Sequence, residues 1–173
     1  MGEPKTDRDS EFQAFTVIAW PRLLRTAFLL AGEQHAGEDL VQSTLERTYA
    51  AWGKVRRADD RDAYVRRILV NEHARRFRRK VPEHLVTAVP DRAGQDGYAQ
   101  LDQRAELLAA LATLPPRQRE AVVLRYWEDL SESQVAVAMG CSVGTVKSQA
   151  SKGIARLRTA SSLTRTTSIG GAA

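Results

Sequence analysis

The segment from Leu130 to Ser148, LSESQVAVAMGCSVGTVKS, constrains the fold more than any other stretch of the chain. Ser131 and Ser142 each precede a helix-forming run and carry the side-chain oxygen that an N-cap uses. Gly140 stands where the first run stops, and glycine takes the left-handed backbone needed there without strain. The pattern predicts two short helices joined by a tight turn, a helix-turn-helix. The second helix, Val143 to about Arg158, turns Val143, Val146, Ala150, Gly153 and Leu157 inward. Gly144, Thr145, Ser148 and Lys152 face out, with Lys147 and Arg158 on one flank and Gln149 and Arg156 on the other. It contains no acidic residue. Small polar side chains let a helix approach base edges in the major groove, and flanking cations reach phosphates. The free amides of a helix N-terminus favour phosphate as well. The candidate duplex-reading set is therefore Ser142, Gly144, Thr145, Lys147, Ser148, Lys152 and Arg156.

Helical periodicity governs the rest of the chain, and strand-like alternation is scarce. Glu11–Ala19 reads as a short amphipathic helix with Phe12, Phe15 and Ile18 on one face; Pro21 then opens a new helix that Gly32 closes. Ala36–Trp52 sets Val41, Thr44, Leu45, Thr48 and Trp52 on one stripe and Asp39, Gln42 and Glu46 on the opposite side. After a polar loop over 54–61, Asp62 caps a long helix that ends near Val81-Pro82. Helices over about 101–113, 117–127 and 131–139 precede the helix-turn-helix reader, with Val122, Val123 and Tyr126 as buried candidates. The expected fold is all-α: two small helical domains joined by a flexible linker, the second containing the helix-turn-helix. The boundaries are 1–80, a linker over 81–104, and 105–159, with a disordered Ser/Thr/Gly-rich tail over 160–173.

Charge is distributed in blocks. The net charge of +5 conceals −3 over residues 1–53, +7 over 54–80, −3 over 81–113 and +4 over 114–173. Two basic blocks separated by acidic segments suit two contacts with nucleic acid, with other surfaces kept for a different partner. A merely solvated face is the plainer reading of an arginine-rich helix. In the first basic block, Arg67, Asn71, Arg75 and Arg78 share one stripe. Asparagine can pair bidentately with adenine while arginines hold the backbone. Tyr64 and Trp52 are able to stack on unpaired bases, although aromatics at helical spacing more often fill a core.

Other classes are poorly supported. No apolar run approaches the ~20 residues of a membrane helix, and the acidic N-terminus lacks a signal peptide's basic and apolar stretches. One cysteine, Cys141, gives no disulfide framework and suits a reducing compartment. It reads as a small buried residue. His35, His73 and His84 make no metal-ligand spacing with it, and no cofactor is implied. Neither a glycine-rich phosphate loop nor paired carboxylates on a basic helix suggest an enzyme.

Three segments, in order, resemble the extracytoplasmic-function sigma factors of bacterial RNA polymerase, members of the sigma-70 family. EDLVQSTLERTYAAW from Glu38 resembles the family's polymerase-binding helix, and YVRRILVNEHARR from Tyr64 its −10 element reader. LPPRQREAVVLRY from Leu114, with the helix-turn-helix, resembles its −35 reader. The resemblance implies a non-catalytic, cytoplasmic subunit that binds core polymerase and selects promoters. By it, Asp39, Gln42 and Glu46 contact the clamp helices of the largest subunit. Tyr64, Arg67, Asn71, Arg75 and Arg78 serve the −10 element, the loop Trp52–Arg61 assists melting, and Val143–Arg158 reads the −35 duplex. The second domain sits on the polymerase flap, and an anti-sigma protein is a possible further partner. Gln149-Ala150-Ser151-Lys152 departs from relatives that carry more arginine there. An autonomous helix-turn-helix regulator is the alternative, but such proteins usually dimerise, and no clear dimerisation helix follows Arg158.

Overall fold

A computed structural model describes residues 5–79 and 98–169, and every regular element among them is helical. The first unit comprises α1 (Lys5–Ala31), α2 (Gln34–Ala50), the single turn α3 (Trp52–Val55) and α4 (Arg61–Arg79). The second comprises α5 (Tyr98–Ala112), α6 (Pro116–Val122), a π turn over Val123–Trp127, α7 (Glu132–Met139) and α8 (Val143–Ile169). The sequence-based linker, 81–104, lies outside the described residues up to residue 97, and α5 begins within it.

Trp52 anchors the first unit. It is fully buried, with Phe12 and Phe15 packed on its ring at centroid distances of 5.2 and 5.3 Å. Leu30, Leu40, Val41, Val55, Val65 and Leu69 complete the surrounding core. The α1–α2 corner is tight at Gly37: a Cβ there would lie 3.1 Å from the Phe28 Cα, so any other residue would have to push the two backbones apart by a few tenths of an ångström.

Pro21 does not divide α1. The helix passes through it without interruption. Proline removes one backbone donor, leaving the Val17 carbonyl without its helical partner. Val17 and Pro21 lie on the solvent face, where that oxygen is open to water. Leu23, Ala27 and Leu30 meanwhile continue the buried face begun at Ala19, and packing holds the two halves in one rod. By length and composition Asp7–Ala31 would also suffice to cross a membrane, contrary to the sequence-based count. Its buried face belongs to the helical core.

Other boundaries differ as well. The cap of α4 is Asp60, whose carboxylate accepts the Ala63 N–H at 2.8 Å; Asp62 instead binds Arg22 at 2.8 Å. That carboxylate raises the pKa of the Arg22 guanidinium, chiefly through their hydrogen bond. The region expected to be a loop begins with the turn α3. α8 runs on to Ile169, through most of the segment expected to be disordered; residues 170–173 lie outside the described residues. Tyr126, expected in the core, is 62% exposed because the π turn carries it outward.

The helix-turn-helix forms as the sequence predicts. Ser131 accepts the Gln134 N–H while the Gln134 side chain accepts the Ser131 N–H, a closed capping box. Gly140 has φ of 62°. Ser142 caps α8 by accepting the Thr145 N–H at 3.1 Å. Val135, Met139, Val146 and Ala150 form the hairpin core, with half-buried Cys141 against it. Val143 is more exposed than expected, at the rim. At Gly153, α8 crosses α6 so closely that a Cβ would meet Val122 Cγ2 at 2.6 Å. Gly153→Ala is expected to destabilise the second unit by about 1–3 kcal/mol, since overpacking forces neighbouring groups apart. A thermal melt of the full chain indistinguishable from wild type would contradict this.

The two units are packed together. Leu108, Leu111, Leu114, Val122 and Val123 join the core of the first, while Val70 of α4 enters the core of the hairpin. The division seen in sequence is thus one of segments that fold side by side.

Candidate nucleic-acid interface

Three exposed faces carry the candidate residues. On α2, Leu40, Val41, Thr44 and Thr48 are buried, which turns Asp39, Gln42 and Glu46 to solvent as an acidic stripe. The 3.6-residue period alone dictates that division.

On α4, Val65, Leu69, Val70, Glu72 and His73 are buried, and Arg67, Asn71 and Arg78 are exposed. Tyr64 is half-buried against the first core, and Trp52 lies wholly within it, so Trp52 offers no surface for a base. Arg75 differs from its neighbours on the stripe. Its guanidinium donates to the buried Glu72 carboxylate at 2.8 Å, and Arg47 of α2 binds the other oxygen of that carboxylate. Arg76 reaches α2 too, donating to the Asp39 carbonyl and to Ser43, each at 2.6 Å. The basic helix is therefore divided: one set of arginines ties α4 to α2 and the other faces out. Asn71 stands between them.

On α8, Ser142, Gly144, Thr145, Lys147, Ser148, Lys152 and Arg156 are all exposed, over the buried Val146, Ala150 and Gly153. The Thr145 hydroxyl lies 2.9 Å from that of Ser142, within the N-cap. Lys147 faces Glu132 at the start of α7, 3.5 Å away. Arg125, Tyr126, Ser151 and Arg158 line the groove beside it. Sequence reasoning did not single out Arg125 and placed Tyr126 in the core, because the position of both depends on the π turn. Among the described residues no group of His, Cys, Asp and Glu is arranged to hold a metal.

An acidic stripe and two basic faces thus lie on one helical chain, and comparisons with known proteins give its family. Residues 20–82 match Sigma-70 region 2, and residues 104–157 match Sigma-70, region 4. The chain is a sigma factor of the sigma-70 family. The RNA polymerase sigma-E factor of Streptomyces avermitilis is 40% identical over 151 residues, covering 86% of this chain and 83% of the relative. The ECF RNA polymerase sigma factor EcfG of Rhodopseudomonas palustris is 31% identical over 147 residues, covering 82% and 80%. Among solved structures, the sigma factor RpoE in complex with the anti-sigma factor NepR, from Bartonella quintana, superimposes with a TM-score of 0.71 at 27% identity. That match covers 86% of this chain and 94% of that one. As an extracytoplasmic-function sigma factor, the protein binds core RNA polymerase and directs initiation at particular promoters.

Proposed function

We propose the following division of labour within this sigma factor. The α2 stripe of Asp39, Gln42 and Glu46 contacts the clamp helices of the polymerase, and the second unit sits on its flap. The exposed face of α4, with Arg67, Asn71 and Arg78, engages the −10 element, and Tyr64 borders it. Arg75 serves that face from its ion pair with Glu72, as a positioning group. The exposed basic residues Lys54 and Arg57 of the segment 52–61 assist melting beside it. On α8, Gly144, Thr145 and Ser148 meet base edges of the −35 duplex. Lys147, Lys152 and Arg156 meet its phosphates, and Ser142 fixes the helix end that points at the backbone.

The observation that carries this reading is that each candidate set is solvent-facing on its own helix while the stripe behind it is buried. The protein works in the cytoplasm, where its polymerase does. An anti-sigma protein suits it as a regulator, since the Bartonella relative is solved with one.

Reconstituted transcription tests the assignment as a whole. With core polymerase on a fragmented genomic library, the sigma factor is expected to produce discrete start sites sharing −35 and −10 motifs. Absence of binding to core would overturn the reading in favour of an autonomous regulator.

Two substitutions on α8 separate positioning from readout. Lys152→Ala is expected to weaken −35 duplex binding alike across sequences and to lower the salt slope by about 0.9, one phosphate contact. Lys147→Ala is expected to act in the same direction by less, because Glu132 already neutralises part of its charge. Ser148→Ala is expected to change base preference while the salt slope stays constant. Titrations of labelled duplex at several salt concentrations decide between these outcomes; a Lys152 variant with altered base preference and an unchanged slope would refute the phosphate assignment.

A further inference from the structure

We propose that Arg56 and Arg61 form a seat for one backbone phosphate of the unpaired promoter strand, and that Glu11 of α1 occupies this seat until the strand arrives. This rests on the division of labour above, which gives the segment 52–61 a part in melting. One anion is shared between the two cations: Arg56 Nη1 lies 3.3 Å from Glu11 Oε2, and Arg61 Nη2 lies 3.6 Å from Glu11 Oε1. Arg56 follows directly on α3 and Arg61 opens α4, so the guanidinium groups come from the two ends of the connecting turn. Both nevertheless aim at the oxygens of a single carboxylate. A phosphate offers its oxygens in the same paired way, and the arginine fork matches it bidentately.

Glu11 is held firmly at its backbone and loosely at its carboxylate. Phe12 beside it packs on Tyr49 and Trp52, at 5.0 and 5.2 Å between ring centroids. Close by on α1, Arg8 donates to the Tyr49 carbonyl at 2.6 Å and Asp9 accepts from the Tyr49 hydroxyl. These contacts keep Glu11 opposite the turn. Its side chain is 36% exposed, and those of Arg56 and Arg61 are 22% and 43% exposed. Both separations exceed the ~2.8 Å of a well-made charge-assisted hydrogen bond. Ion pairs so open to water add little to stability, and an incoming phosphate therefore displaces the carboxylate at small cost.

Nearby acids differ from Glu11. The Asp60 carboxylate caps α4 and that of Asp62 binds Arg22, so neither faces the two arginines as a partner. Asp59 is exposed and makes no ion pair among the described residues. Arg61 also approaches the Trp52 ring at 5.9 Å, which ties the seat to the core residue that fixes α3. In chain order the seat lies between the exposed Lys54 and the helix that bears Arg67 and Asn71. A strand gripped there has a phosphate fixed where the melting segment gives way to the reading helix. The contact recognises backbone charge and carries no sequence information.

The test titrates core polymerase carrying the full-length sigma factor with a short fluorescein-labelled oligothymidylate at several salt concentrations, core alone setting the background. This probe carries phosphates without a promoter sequence. Glu11→Gln keeps the size of the side chain and removes its charge. It is expected to tighten binding by about three- to fivefold, the scale of an exposed ion pair that no longer competes. Asp59→Asn removes the same charge from outside the pair and is expected to stay within about 1.5-fold of wild type, because solvent screens it. Arg56→Ala/Arg61→Ala is expected to lower the salt slope by about 0.7, one phosphate of a single strand, and to cancel the gain from Glu11→Gln when the changes are combined. If that double variant fails to fold, Arg61→Ala alone takes its place. Equal effects of Glu11→Gln and Asp59→Asn, a gain that survives loss of the arginines, or an unchanged slope would each overturn the seat. The −10 assignment is judged separately, by whether the same holoenzyme prefers the non-template strand of a mapped start site to oligothymidylate. Loss of that preference would sink the reading of α4, while the oligothymidylate slopes would still decide the seat.

Discussion

Asp39→Lys combined with Glu46→Lys is expected to abolish transcription with core polymerase while leaving the fold intact. Both side chains are exposed on α2, and neither belongs to the buried stripe of Leu40, Val41, Thr44 and Thr48. Surface substitutions of this kind usually change stability by no more than about 0.5 kcal/mol. At an interface, juxtaposing like charges costs several kcal/mol, which corresponds to a loss of affinity of roughly 100-fold or more. Anisotropy titration of the labelled sigma factor with core, beside a melting curve, gives both quantities. A variant that binds core as tightly as wild type would remove α2 from the polymerase interface.

The largest loss of stability is expected at Trp52. Its ring is fully buried against Phe12 and Phe15, and Arg61 approaches its face at 5.9 Å. Trp52→Ala leaves a cavity that three helices and α3 cannot easily close, at a cost of about 3–5 kcal/mol. Trp52→Phe is expected to cost markedly less. It keeps most of the ring contacts and removes an indole N–H that has no hydrogen-bond partner. Denaturant melts of the two variants supply the comparison; equal losses would contradict the cavity as the main cost of Trp52→Ala.

What the sequence discloses here depends on how local the cause is. The α2 stripe and the buried side of α8 follow from spacing within one helix, and both are found where the period puts them. The caps at Ser131 and Ser142 and the turn at Gly140 are likewise settled by neighbouring residues. Arg75 is different. It shares a stripe with Asn71, yet its direction is set by Glu72 together with Arg47, which comes from another helix. The i, i+3 spacing allows the Glu72–Arg75 pair, but no periodicity within α4 shows that Glu72 is buried or that Arg47 shares it. Pro21 misleads for a related reason: its local rule favours a break, and packing on both sides of it prevails. The contact between the units is least visible of all. Glu120 and His73 are 47 positions apart and look like ordinary solvated charges until the two helices meet.

The π turn has a consequence for how such a chain can change in length. Its wide ring closes from the Glu128 N–H to the Val123 carbonyl at 3.1 Å, and Asp129 follows with a φ of 51°. The turn therefore holds one more residue than an α-helix would need to cover the same distance. A chain that lost a single residue there could revert to an unbroken α-helix and still bury Val123 and Leu124. Everything after the deletion would be rotated by more than a quarter of a turn. Glu128 would swing away from Thr26 and Arg66, and the DNA-reading hairpin would meet the first unit at a different angle. The spare residue thus works as a shim that sets the phase between the two halves of the molecule.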